Sequence, residues 1–229
     1  MSRQAKDQLF IQIAQVAQAA ANPHRLELLD LLVQAPRNVE QLAAASSMSI
    51  ANASQHLQRL KRAGLVVGER AGTTIRYRLA DPAVARLWIE LRAVAVQQLA
   101  TVDHALNAYR PQRRAFPTVT PGELRAGLAA GTMQLVDVRP ALEYAAGHLP
   151  GARSLPLDDL TARLPELPTE ELIVTYCRGL LCVYADEALS QIVASGRRGA
   201  RLEEGVAEWR LAGYPVEPAA GSASSEPVR

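Results

Sequence analysis

The sequence predicts two domains: a mainly α helix-turn-helix unit over 1–108, then an α/β unit with a mostly parallel sheet over 118–217. Three observations predict this. Up to about residue 109 the apolar residues recur at helical spacing, broken by a single hairpin signal. Beyond residue 117 short β-branched runs alternate with helical patterns. The charge also divides: residues 1–110 carry a net +5 and residues 111–229 a net −3, inside an overall +2. A basic first half is the one that would meet a polyanion.

At 229 residues and 48% hydrophobic content the chain can fill two packed cores. Aromatics are only 4%, so those cores are built from Leu, Val, Ile and Ala. Two cysteines exclude a disulfide scaffold, and no apolar run approaches membrane-spanning length. The start, Met1 to Asp7, lacks the apolar core of a signal peptide. The expectation is a cytoplasmic protein with no membrane partner, no cofactor, and thiols kept reduced unless they have a task.

In order, Leu9, Ile13, Val16, Ala17 and Ala20 mark a helix from about Arg3 to Ala20. Asn22-Pro23 caps a second, apolar nearly all round through Leu26, Leu29, Leu31, Leu32 and Val33, hence central. A short helix runs from Asn38 to about Ala45. Ser49 then N-caps a further helix that stops at Gly64. On that helix Ala53, Leu57 and Leu60 face the core, while Asn52, Gln55, His56, Arg59 and Arg62 project outward. Amide and imidazole groups bond base edges and Arg contacts bases or phosphates, which suits a major groove. An ordinary solvated helix face has the same composition. The context decides: Leu65 to Val67 and Ile75 to Leu79 read as two strands joined by a tip carrying Arg70 and Thr73, with Arg76 beyond it. Such a basic wing can lie along the DNA backbone. Asp81-Pro82 opens one long helix to about Tyr109, striped with Val84, Leu87, Trp88, Leu91, Val94, Leu99, Val102 and Leu106. That stripe exceeds what one small domain covers.

The run Ala21-Asn22-Pro23-His24-Arg25-Leu26, followed by Ser54-Gln55-His56-Leu57-Gln58-Arg59-Leu60-Lys61-Arg62-Ala63-Gly64-Leu65-Val66, resembles the ArsR family of winged-helix repressors. The resemblance covers about residues 5–108. It implies a winged helix-turn-helix homodimer on double-stranded operator DNA, reading through Ser49, Asn52, Ser54, Gln55, His56, Arg59, Arg62, Arg70, Thr73 and Arg76. The first helix and the long last helix would form the dimer interface, with Trp88 packed there. The chain departs from metal-sensing members, having Val39 to Ala44 where they carry paired cysteines, and no thiol before residue 177. Asp103 and His104 are adjacent and point apart, so no metal is expected.

Residues 109–117, with two prolines and clustered Arg, read as a linker, a solvated tether. Thr120-Pro121 caps a short helix and Gln134 to Val138 is a buried strand. Leu172 to Tyr176 is another, and the pattern turns helical from about Leu181. Cys177 therefore sits between a strand and a helix start, where unpaired N–H groups and the helix dipole favour a thiolate. Two small buried hydrophobes are the plainer alternative. The tail 218–229, rich in Ala, Ser and Pro, is expected to be disordered.

Leu135-Val136-Asp137-Val138-Arg139-Pro140 with Glu143-Tyr144, Gly147 to Ala152, Tyr176-Cys177-Arg178, Glu204 to Arg210, and Ala212 to Val216 together resemble a rhodanese-like domain over about residues 118–217. The resemblance implies a cysteine persulfide on Cys177, its pKa lowered by loop N–H groups and the helix dipole. The loop departs from the commonest pattern, with Cys182 at its sixth position in place of Arg, and Arg178 as a partial substitute for anion capture. Cys182 could resolve the persulfide to a bridge. Asp137, Arg139 and His148 match positions that brace the fold. The leading expectation is a DNA-binding repressor that senses or handles reactive sulfur or thiol oxidants through Cys177, with Cys182. Its small-molecule signal would be a sulfane-sulfur donor or oxidant. The alternatives are a tethered sulfurtransferase forming a Cys177 persulfide, and an idle fold used for docking.

Overall fold

The computed structural model describes residues 2–218. Of the tail expected from residue 218 onward, all but Pro218 lies outside the described residues. Two compact units divide between Ala93 and Val94.

In the first unit α1 (Arg3–Ala20), α2 (Pro23–Gln34), α3 (Val39–Ala45) and α4 (Ile50–Arg62) surround one apolar core. The helix starts form where the capping chemistry requires. The Asn22 side chain accepts from the Arg25 N–H, and the Ser49 hydroxyl from Asn52. Asn38 and Gln41 form a reciprocal capping box on α3. Two residues before α3, β1 (Arg37–Asn38), pair with the hairpin. The order is β1-β3-β2, with β2 (Val66–Ala71) and β3 (Thr74–Leu79) antiparallel throughout. The strands run further than their apolar residues indicated, to a two-residue turn at Gly72-Thr73, where Gly72 has φ +62°.

The expected single last helix is two: α5 (Pro82–Gln98) and α6 (Ala100–Tyr109). Leu99 takes an extended backbone between them, amid β-branched Val96, Thr101 and Val102 that weaken helix propagation. Trp88, expected at an interface, is instead buried inside the first unit and donates to Asp30 at 2.8 Å. Leu9, Phe10, Ile11 and Ile13 of α1 and Leu87, Leu91 and Val94 of α5 stay exposed.

The second unit is an α/β layer structure on a five-stranded parallel sheet ordered β4-β8-β7-β5-β6. Its elements are β4 (Thr118–Val119), α7 (Pro121–Ala129), β5 (Met133–Asp137), α8 (Ala141–Ala146), β6 (Arg153–Ser154), α9 (Leu157–Arg163), β7 (Leu172–Tyr176), α10 (Tyr184–Ala194), β8 (Gly199–Leu202) and α11 (Val206–Leu211). Side chains alternate across the sheet, so β7 sends Ile173 to one apolar cluster and Val174 and Tyr176 to the other. No described helix is long and apolar enough to cross a membrane.

Candidate functional site

Cys177 continues the β7 alternation, so its side chain enters the same cluster as Ile173, beside Ala185 and Ala188 of α10. The chain then turns sharply. Gly179 has φ +92°, and a Cβ there would lie 2.9 Å from Glu208 Oε1. A Cβ on Gly205 would lie 2.7 Å from the Arg178 carbonyl carbon, so both glycines let the loop pack flat. The Cys182 N–H donates to the Gly179 carbonyl at 3.2 Å and closes the turn. The helix begins at Tyr184, three residues later than its pattern indicated.

Both cysteines are free, and they are 3% and 5% exposed. The Cys177 thiol donates to the Cys182 carbonyl at 3.6 Å. Burial pushes the Cys177 thiol well up, reinforced by its hydrogen bond to the Cys182 sulfur; this reverses the lowered pKa expected from the helix start. Cys182 moves down, because its sulfur accepts from the Cys177 S–H and from the N–H groups of Arg178 and Tyr184. Of the two thiols Cys182 is therefore the more acidic.

Arg178 does not stand open as an anion receptor. Its Nε and Nη2 bond both Glu143 oxygens at 2.6–3.0 Å, and its guanidinium lies 5.2 Å over the Tyr184 ring. Glu143 is fully buried, and a buried carboxylate requires such a cation. Asp137, Arg139 and Tyr176 form a second buried set, in which Asp137 accepts from the Arg139 backbone and guanidinium and from the Tyr176 hydroxyl at 2.5–3.1 Å. The His148 ring stacks on Tyr144 at 3.7 Å.

Three residues that sequence reasoning did not single out surround the loop. Arg110 and Arg201 both pair with Asp186 of α10. The available signal was Asp186 itself, an acid among Ala185, Ala188 and Leu189 on a buried helix face, which needs a cation beside it.

On α4, Gln55, Arg59 and Arg62 are exposed and Asn52 and Ser54 half-buried; Ser49 is exposed with its hydroxyl engaged as the N-cap. Asn52, Gln55, Arg59 and Arg62 share one helix face. His56 does not join it. It is 9% exposed, its ring 5.4 Å from His24, and burial with Arg25 nearby lowers its pKa. His56 stands in the spacing of Ala53, Leu57 and Leu60, so the core claims it. On the hairpin Arg70, Thr73 and Arg76 are exposed. Among the described residues no group of three or more His, Cys, Asp or Glu could hold a metal.

The profile of the bacterial regulatory protein arsR family matches residues 22–67, and that of the Rhodanese-like domain matches residues 120–212. The chain is 45% identical over 215 residues to the HTH-type transcriptional regulator Rv0324 of Mycobacterium tuberculosis, covering 94% of each chain. It is 44% identical over 80 residues to the HTH-type transcriptional regulator NmtR of the same organism, covering 35% of this chain and 67% of that one. A solved homodimeric winged helix-turn-helix DNA-binding domain, fragment 1–100 of Mb0332 from Mycobacterium bovis, is 44% identical. It covers 43% of this chain and 91% of that one, with a TM-score of 0.41. An exposed arginine-bearing helix and wing ahead of a parallel sheet that ends in a cysteine loop thus have full-length kin, and the chain belongs to the ArsR family of transcriptional regulators, carrying a C-terminal rhodanese-like domain.

Proposed function

We propose that this chain is a cytoplasmic, homodimeric repressor that binds double-stranded operator DNA and senses or handles reactive sulfur or thiol oxidants through Cys177 with Cys182. One observation carries the sensing part: the chain's only two thiols share one loop, in which the Cys177 S–H donates to the Cys182 carbonyl. The exposed stripe of α4 and the hairpin supports DNA reading through Asn52, Gln55, Arg59, Arg62, Arg70, Thr73 and Arg76. The exposed apolar residues of α1 and α5 support pairing with a second copy.

A persulfide donor RSSH reacts with the two thiols in two displacements. With Cys182 deprotonated, Cys177 passes its proton to the Cys182 thiolate and attacks the outer donor sulfur. The donor S–S bond breaks, RS− leaves, and Cys177 becomes a persulfide. Cys182 gives its proton to RS− and attacks the inner sulfur of Cys177; HS− departs and a Cys177–Cys182 disulfide remains. The two thiols lose two electrons and the sulfane sulfur gains them.

The engagement of Arg178 by Glu143 and the burial of both sulfurs favour this over steady turnover of an anionic donor. The test is a gel shift on operator DNA selected from a random duplex pool, with and without polysulfide. Wild type should release the DNA and Cys177→Ser should hold it. Release that is unchanged in Cys177→Ser sinks the reading.

A further inference from the structure

The segment expected to be a solvated tether is built into the second unit. The Arg110 backbone N–H donates to the Leu106 carbonyl at 2.8 Å and closes the end of α6. Its side chain is only 1% exposed. Nε and Nη2 bond Asp186 at 2.8 and 3.0 Å in a fork, and Nη1 donates to the Leu180 carbonyl at 2.6 Å. Leu180 lies between the two cysteines, and Asp186 is in the first turn of α10. One guanidinium therefore joins three things: the end of α6, the middle of the sulfur loop, and the start of the helix after it.

The same strap is fastened elsewhere. The Arg201 side chain donates to the Arg113 carbonyl at 2.6 Å, and its backbone N–H to the Pro117 carbonyl at 2.9 Å. The Ser190 hydroxyl donates to Gln112 Oε1 at 2.6 Å. Arg113 in turn bonds Asp103 and Asn107 on α6. Burial, and next the nearness of Cys182, push up the phenol of Tyr109, the last residue of α6.

We propose that Arg110 is the positioning residue that carries the state of the Cys177–Cys182 loop to helix α6. This rests on the sulfur-responsive reading above and names its route. A bridge removes the Cys177 S–H that donates to the Cys182 carbonyl. The Leu180 peptide, which lies between the two cysteines in the chain, turns with the loop. Its carbonyl is one of the acceptors of a buried guanidinium, whose donors cannot be left unmatched without a penalty. Arg110 follows the carbonyl, and the helix end it closes follows Arg110. α6 follows α5 across the extended Leu99, and α5 begins in the first unit, so the covalent chain links α6 to the DNA-reading half.

The test uses the full chain, as wild type, Arg110→Met and Cys177→Ser, treated with polysulfide. Mass spectrometry reads the sulfur state, gel shift reads operator affinity, and hydrogen exchange reads residues 100–109. In wild type the bridge should form, operator affinity should fall about tenfold, and exchange in 100–109 should change; in Cys177→Ser that exchange should stay constant. Arg110→Met should still form the bridge while its operator affinity changes by less than about twofold. A bridged Arg110→Met that releases DNA as wild type does overturns the relay and leaves the sulfur reading standing. So does wild-type release with no change in 100–109, a comparison that decides the matter even if Arg110→Met does not fold. Wild type that takes up no sulfur, or keeps its operator, brings down the sulfur reading and the relay with it.

Discussion

Arginine serves helix α4 and the interior of the second unit in opposite ways. On α4, Arg59 and Arg62 are exposed, and no carboxylate among the described residues pairs with either. In the second unit Arg110, Arg139, Arg178 and Arg201 are buried or half-buried, each locked to a carboxylate of the same unit. An exposed guanidinium remains available to phosphate and base edges, and it loses little by waiting in water. A buried one must be matched at folding, and from then on it fixes the position of whatever it touches. The same side chain stands open on α4 and is a rivet inside the second unit. Solvent access is the variable that separates them.

The largest effect expected from this contrast is at Arg139. Arg139→Met strands Asp137 at the buried end of β5 and should destabilise the second unit by about 3–5 kcal/mol, read as a lower urea midpoint. A loss below about 1 kcal/mol would mean the pair behaves like a surface contact, and the contrast would break. Next comes the reader. Arg59→Ala should leave the urea midpoint unchanged but weaken operator binding by about 1–3 kcal/mol if it meets a base, or flatten the salt dependence by about one charge if it meets phosphate. A protein that binds DNA as before, with the same salt slope, removes Arg59 from the interface.

The smallest effect sharpens the contrast inside the sulfur loop. Cys182 has its pKa lowered chiefly by the Cys177 S–H, so its thiolate is populated at a pH below that of an ordinary thiol. Cys177→Ala removes that donor and should move the Cys182 alkylation profile to higher pH, each unit lowering the thiolate fraction near neutrality about tenfold. A profile that stays in place assigns the lowering to the Arg178 and Tyr184 N–H groups instead.

Much of the fold was legible because local chemistry announced it. Asn22-Pro23, Asn38 and Ser49 each cap the helix they were expected to start, and Thr120 does so in the second unit. The apolar runs at Leu135 and Leu172 became central strands since only buried parallel strands tolerate such runs. His56 was misread because its polarity outweighed its position, three residues after Ala53 and four before Leu60, inside the buried stripe. The break at Leu99 left no glycine or proline to see. Arg178 matched the loop motif, yet the carboxylate that occupies it lies 35 residues away at Glu143.

The sequence by itself determined two units, their element types, and a cysteine at a strand end, since helix caps, strand alternation and charge balance act over a few neighbouring residues. Only the tertiary structure decided which arginines are exposed, which thiol is the more acidic, and that Arg110 is a core residue in a stretch that reads as linker. Those outcomes depend on burial and on partners up to 76 residues apart in sequence. Desolvation is a property of the assembled layers, which no local pattern encodes.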